Sequence, residues 1–203
     1  LERGEMGGDC LNYGCVPSKA LLAVGNIVNA IRTVKRFGVI VSEPVIDHAL
    51  VRDHIKGIIE AIAPIDSQER FESLGVRVIR AEGRFLDGRT VVAGDHEITA
   101  KRTVIATGSS PVIPHIPGLE GLPYFTNETI FDNADPIEHL LVIGGGSIGL
   151  EIAQAYSRLG TKVTVFEASK VLGNEDPELA AVVTGALVAE GIEILEGVEI
   201  NDV

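Results

Sequence analysis

Apolar residues recur at helical spacing after Pro17. Leu21, Leu22, Val24, Ile27, Val28 and Ile31 share one face, which predicts an amphipathic helix. Pro17 suits its first turn, where a missing N–H costs nothing. Pro44 to Leu74 reads as a second helical region. Val51, Ile55, Ile58, Ile59 and Ile62 form its apolar face, Pro64 breaks or kinks it, and Gly75 stops it. From Val76 to Ala106 the period changes to two. Short strands are expected at Val76–Ile79, Thr90–Val92, Glu97–Thr99 and Thr103–Ala106, with turns at Asp87-Gly88 and Gly94-Asp95. Pro111, Pro114, Pro117 and Pro123 then mark a linker. Beyond it, a strand at Leu140–Ile143, a helix at Ile148–Leu159, a strand at Lys162–Phe166, a helix at Pro177–Glu190 and a strand at Ile192–Leu195 follow in turn. Strands alternating with crossover helices imply a parallel sheet. The expected division is residues 1–122 and 123–203.

Composition sharpens this picture. The 203 residues are 45% apolar and 23% charged, enough to build a core. With 17 Lys+Arg against 29 Asp+Glu the net charge is -12. That argues against nucleic-acid or anionic-membrane partners, which are bound through cations. Two Cys are too few for a disulfide scaffold or a four-Cys zinc site, and no metal is expected. No apolar run in the sequence approaches the roughly 20 residues of a membrane span. The chain does not open on a basic stretch followed by an apolar one, so a cytoplasmic setting is expected.

Gly144-Gly145-Gly146-Ser147-Ile148-Gly149 fits G-x-G-x-x-G. By itself the pattern also describes a plain turn. Here a strand precedes it, a helix follows it, and Glu167 ends the next strand, the context of a dinucleotide site. Gly144 permits the tight turn, Gly146 lets a pyrophosphate approach the backbone, and Gly149 lets the helix pack on the strand. Helix N-terminal N–H groups at Ser147 and Ile148 would meet the phosphates. A carboxylate at Glu167 accepts hydrogen bonds from ribose hydroxyls and repels a 2′-phosphate. The following Ala168, Ser169 and Lys170 include no Arg, so NAD is favoured over NADP. An ordinary solvated charge at the strand end is the alternative reading of Glu167.

Cys10 and Cys15 lie in the run GGDCLNYGCVPSK. Their spacing leaves redox and structural readings open. The neighbourhood favours redox chemistry. Cys15 precedes a helix whose dipole stabilises a thiolate, Lys19 adds a cation on the same face, and Cys10 falls in the preceding loop as the more accessible sulfur.

This run resembles the redox-active disulfide motif of the class I pyridine nucleotide-disulfide oxidoreductases, a family of flavoproteins. Thr103-Val104-Ile105-Ala106-Thr107-Gly108-Ser109 resembles their second FAD motif, and GGGSIGLE, Gly144 to Glu151, their NAD motif. The resemblance extends over essentially the whole chain. It implies an α/β fold of Rossmann-like FAD- and NAD(P)-binding domains with a small β-meander, both domains incomplete in this chain. It implies a Cys10–Cys15 disulfide in which Cys15 faces the flavin as the charge-transfer thiolate and Cys10 is the interchange sulfur. Lys19 would sit by the flavin and pair with Glu151. Glu2 matches the acidic residue on the FAD ribose, and Gly83 a backbone contact to the adenine end. Gly8, Thr107, Gly108 and Ser109 would also pass close to FAD.

The resemblance further implies a small-molecule or lipoyl disulfide or dithiol as substrate and a homodimer as the intact enzyme. Glu167 favours the NAD-linked dihydrolipoyl dehydrogenase type. A mercuric-reductase-like enzyme is the alternative, and a non-catalytic NAD-binding redox sensor is the reading from another class. Two features stand apart. Asp9 occupies a position where family members often have Thr. Glu2 follows no G-x-G-x-x-G, so the chain reads as an internal part of a larger enzyme that does not turn over alone. None of His48, His54, His96, His115 and His139 sits in a matching motif.

Overall fold

The computed structural model describes all 203 residues, Leu1–Val203. After an irregular start comes a short helix α1, Gly8–Asn12, and then the long helix α2, Cys15–Thr33. Gly7 and Gly8 both take positive φ, +89° and +57°, which turns the chain sharply into α1. The Asn12 side chain holds that turn by donating to Met6 O at 3.1 Å and Gly8 O at 2.9 Å. Cys10 therefore sits in a helical turn rather than in the loop expected from sequence. Five residues are too few for a periodic signal, and local side-chain hydrogen bonds decide the conformation.

The second helical region divides. Helix α3, His48–Ile62, is capped by the Asp47 carboxylate, which accepts the Leu50 N–H at 3.0 Å. Pro64 falls in a 3₁₀ turn at Ala63–Asp66, and Ser67 caps α4, Gln68–Ser73. An antiparallel meander follows: β1 Gly83–Phe85, β2 Thr90–Ala93 and β3 His96–Thr99. Asp87 sets its first turn by accepting the Arg89 and Thr90 N–H groups at 2.7 and 2.8 Å.

Two expected strands are not formed. Val76–Ile79 is irregular, tied to the rest by Glu2 N–H donating to Ile79 O at 3.1 Å. Thr103–Ala106 is exposed and forms no backbone hydrogen bond. No other segment of the chain lies alongside to complete a ladder, and a strand exists only as a pairing.

The C-terminal part is a parallel sheet in the order β4-β5-β6, formed by His139–Ile143, Lys162–Glu167 and Glu193–Glu196. Its crossovers are α5, Ser147–Arg158, and α6, Pro177–Ala189. Val163 and Val165 bury the sheet face against α5. The α/β expectation is met.

One cluster of 16 buried residues draws on both sides of the Pro-rich linker, joining Ala20, Leu21 and Val28 of α2 to Leu150, Ala153 and Ala155 of α5. A Cβ on Gly25 would stand 3.4 Å from Ala155 Cα, so the two helices meet closely through small residues. Ile27, expected on the buried face, is 62% exposed, because the contact with α5 runs along Leu21, Gly25 and Val28 instead. The helical run Gly8–Phe37 reaches the length and hydropathy of a membrane span, which the sequence pattern alone did not suggest. Helices α5 and α3 pack against part of it, and 33% of its most apolar stretch is buried.

Candidate functional site

Cys10 and Cys15 stand on either side of the break between α1 and α2. Both are free, exposed thiols. Gly14 makes the break: a Cβ there would stand 3.0 Å from Asp9 O, so the bend closes tightly against the Cys10 turn. The Cys10 thiol lies within reach of Cys15. Its interaction with the Cys15 thiol, slight desolvation and the neighbouring sulfur's charge together push its pKa up.

Lys19 is one helical turn beyond Cys15. Its ammonium does not simply face the sulfur. It binds Glu151 of α5 with Nζ 2.6 and 2.7 Å from the two carboxylate oxygens. The pair is 60% and 34% exposed, so it contributes at most about 1 kcal/mol to stability. What it fixes is position. It links the helix that starts at Cys15 to the helix that starts at the Gly-rich turn.

That turn carries the marks of a phosphate cradle. Gly144 has φ +107°, open only to glycine without strain. Around Gly146 nothing lies within 4 Å of where a Cβ would stand, leaving the backbone bare to an approaching group. Gly149 is the opposite case: its Cβ would stand 2.5 Å from Gly144 O, so helix and turn touch there. No side chain caps the N-terminus of α5, and Ser147 and Ile148 are exposed. The first-turn N–H groups therefore face outward as an anion-binding end.

Glu167, at the end of β5, holds the same turn. Its Oε2 accepts Gly145 N–H at 2.8 Å and its Oε1 accepts Ser169 N–H at 2.9 Å. These two bonds keep its carboxyl below the usual carboxylate range. An ionised carboxylate has about four acceptor sites, so capacity for sugar hydroxyls remains. The Gly145 carbonyl in turn accepts Leu172 N–H at 3.0 Å. Its peptide is thus gripped from both sides, a contact that the sequence motif does not reveal.

Of the remaining expected residues, Glu2 is half-buried and accepts Gly4 N–H at 2.7 Å. Gly83 opens β1, where a Cβ would stand 2.8 Å from Leu1 Cδ1, so Gly83 lies against the segment that carries Glu2. Gly8 has open space over it. Thr107, Gly108 and Ser109 are exposed, and Ser109 N–H donates to Asp9 Oδ2 at 3.2 Å. Asp9 is the residue that sequence reasoning left without a role.

The chain belongs to the pyridine nucleotide-disulphide oxidoreductase family, whose pattern it matches over residues 3–203. Within that family it is a member of the class I flavoprotein disulfide oxidoreductases. It is 34% identical over 198 residues to mercuric reductase from Lysinibacillus sphaericus, covering 97% of this chain and 36% of that one. It is 36% identical over 203 residues to mercuric reductase from Streptomyces lividans, covering 96% and 42%. Among solved structures, LpdA from Mycobacterium tuberculosis superposes with TM-score 0.78 at 26% identity, over 95% of this chain and 44% of that one. The HOCl-induced flavoprotein disulfide reductase RclA from Escherichia coli shares the fold, with TM-score 0.79 at 23% identity over 99% and 43%. The chain thus spans about two-fifths of the length of these relatives.

The family's proteins are flavoproteins, and the residues present fit the groups such proteins carry. The bare backbone at Gly146, the uncapped start of α5 and the ionised Glu167 suit a dinucleotide. Gly8, Gly83 and Thr107–Ser109 are exposed, Glu2 is half-buried and Lys19 is engaged with Glu151; these are the residues that would meet a flavin nucleotide.

Proposed function

We propose that the full-length protein is an FAD-dependent oxidoreductase that passes electrons between NAD(H) and the Cys10–Cys15 pair. The carrying observation is the Lys19–Glu151 link, which fixes the sulfur-bearing helix to the helix of the dinucleotide turn. Bound FAD would supply the two-electron relay between nicotinamide and sulfur. The chain's own residues do the rest. Gly144–Gly149 and the start of α5 hold the dinucleotide phosphates, and Glu167 takes the ribose. Two electrons and two protons open the Cys10–Cys15 disulfide to a dithiol. The Cys10 thiolate attacks one sulfur of a substrate disulfide and releases the first substrate thiol. Cys15 then attacks Cys10, releases the second thiol and restores the pair. The reverse sequence oxidises a dithiol.

Titrating the anaerobic full-length holoenzyme with NADH and counting reactive thiols tests this. One equivalent of NADH should expose two thiols in the native protein and no such pair in Cys10→Ser or Cys15→Ser. A native protein that gained none would overturn the reading.

We read the nicotinamide as NAD(H) because Glu167, held ionised beside the Gly-rich turn, would repel a 2′-phosphate on the ribose. Replacing Glu167 with Ala should narrow the preference for NADH over NADPH by about tenfold or more, from the loss of charge-assisted hydrogen bonds. Unchanged preference in steady-state kinetics would exclude that role. For the substrate, a lipoyl-type dithiol is the first reading and mercuric ion the second, the latter favoured by the names of the curated relatives. Turnover of dihydrolipoamide with NAD⁺, set against Hg(II)-dependent oxidation of NADH, separates the two. The active form is read as a cytoplasmic homodimer.

A further inference from the structure

Asp9 is where the cysteine motif departs from its family pattern, and nothing in the mechanism above employs it. Its main chain belongs to α1, immediately before Cys10, and its carbonyl faces the break that follows. Its carbonyl accepts Tyr13 N–H at 2.9 Å, and Gly14 packs against that same oxygen. Its carboxylate leaves this turn and reaches a distant part of the sequence, accepting Ser109 N–H. Gly108, at φ +68°, presses its Cα toward the same carboxylate, where a Cβ would stand 2.9 Å from Oδ2. Thr103–Ser109 forms no other hydrogen bond. One side-chain oxygen is therefore the whole polar connection between the Cys10 turn and the segment that resembles the second flavin motif.

We propose that Asp9 is a positioning residue that locks the Thr107–Ser109 turn onto the Cys10 turn and so sets the sulfur pair against the flavin side of the site. This rests on the redox reading of Cys10 and Cys15. The requirement is a correctly placed acceptor oxygen, not a negative charge. An uncharged amide oxygen of the same reach can serve, and a methyl cannot.

The test uses the full-length holoenzyme. The readouts are the FAD dissociation constant by flavin fluorescence and the thiol–disulfide midpoint of the pair in a glutathione buffer. Asp9→Ala should weaken FAD retention about tenfold and move the pair's equilibrium by a similar factor, about 30 mV for two electrons. Asp9→Asn, which keeps an acceptor of the same reach, should stay within about threefold of the native protein. Should Asp9→Ala fail to fold, Asp9→Asn and Asp9→Leu are close in size, differ in the acceptor and give the same comparison. Ala or Leu equal to native in both readouts overturns the proposal. So does Asn as damaged as Ala, since charge rather than geometry would then be at work. A native holoenzyme that gains no thiols from NADH defeats the functional reading itself, a result distinct from native cycling with an indifferent Asp9.

Discussion

Gly146 and Gly149 belong to one motif and have opposite surroundings in the structure. Alanine at Gly149 drives a Cβ into the Gly144 carbonyl, a backbone atom that cannot swing aside. Gly149→Ala should therefore lower stability by about 1–3 kcal/mol, the usual cost of overpacking, seen as a fall in Tm. Alanine at Gly146 meets nothing and should leave the melt almost unchanged while weakening NADH binding, measured by calorimetry. Equal effects of the two changes on Tm would refute the division. The cysteines allow a pH experiment at the same scale. Cys10 is pushed up chiefly by its interaction with the Cys15 thiol, so in the dithiol state it should alkylate more slowly at neutral pH than an ordinary thiol. Removing the partner in Cys15→Ala should bring the alkylation midpoint of Cys10 down. An unmoved midpoint in a rate–pH profile would show that the neighbouring sulfur is not the cause.

At the scale of elements, the contact of α2 with α5 carries the architecture, and small residues make it possible. Ala155 is fully buried, facing Gly25 across the contact. Ala155→Leu should cost about 1–3 kcal/mol by overpacking and pull Lys19 away from Glu151. Denaturant unfolding of the full-length protein would measure the loss, and an undiminished midpoint would mean that the contact is looser than the structure has it. The long helices and the strand-turn-helix unit were legible because each repeats its apolar spacing over several turns or sits beside diagnostic glycines. Gly83–Phe85 was not legible as a strand. All three of its residues are exposed, so no alternation marks it, and pairing to Val91–Ala93 alone creates it. The α1 turn escaped notice for a similar reason: Asn12 and two positive-φ glycines set it, and hydrophobic period plays no part. In the site, the residue types named by motif were legible, but the through-space contacts were not. Nothing in the sequence joins Asp9 to Ser109 or Gly145 to Glu167, because both links depend on how separate segments are brought together.

For the whole molecule the informative segment is Thr103–Ala106, apolar by sequence yet 85% exposed at Val104 and 72% at Ile105. Unpaired backbone next to exposed β-branched side chains is an edge in need of a partner. Its only tether, at Ser109, holds one end against the Cys10 turn while the other continues directly from the meander. The relatives are more than twice as long as this chain, and a protein of their length would carry further segments able to pair with it. We expect residues 103–106 to form a strand in that context, burying both valine and isoleucine. Hydrogen exchange followed by mass spectrometry reads this directly. Amides of 103–106 should exchange within seconds in residues 1–203 alone, and slow by about a hundredfold or more in the full-length holoenzyme, as paired core strands do. Equal exchange in the two proteins would mean that this segment stays unpaired, and that the Thr107–Ser109 turn is held by Asp9 alone.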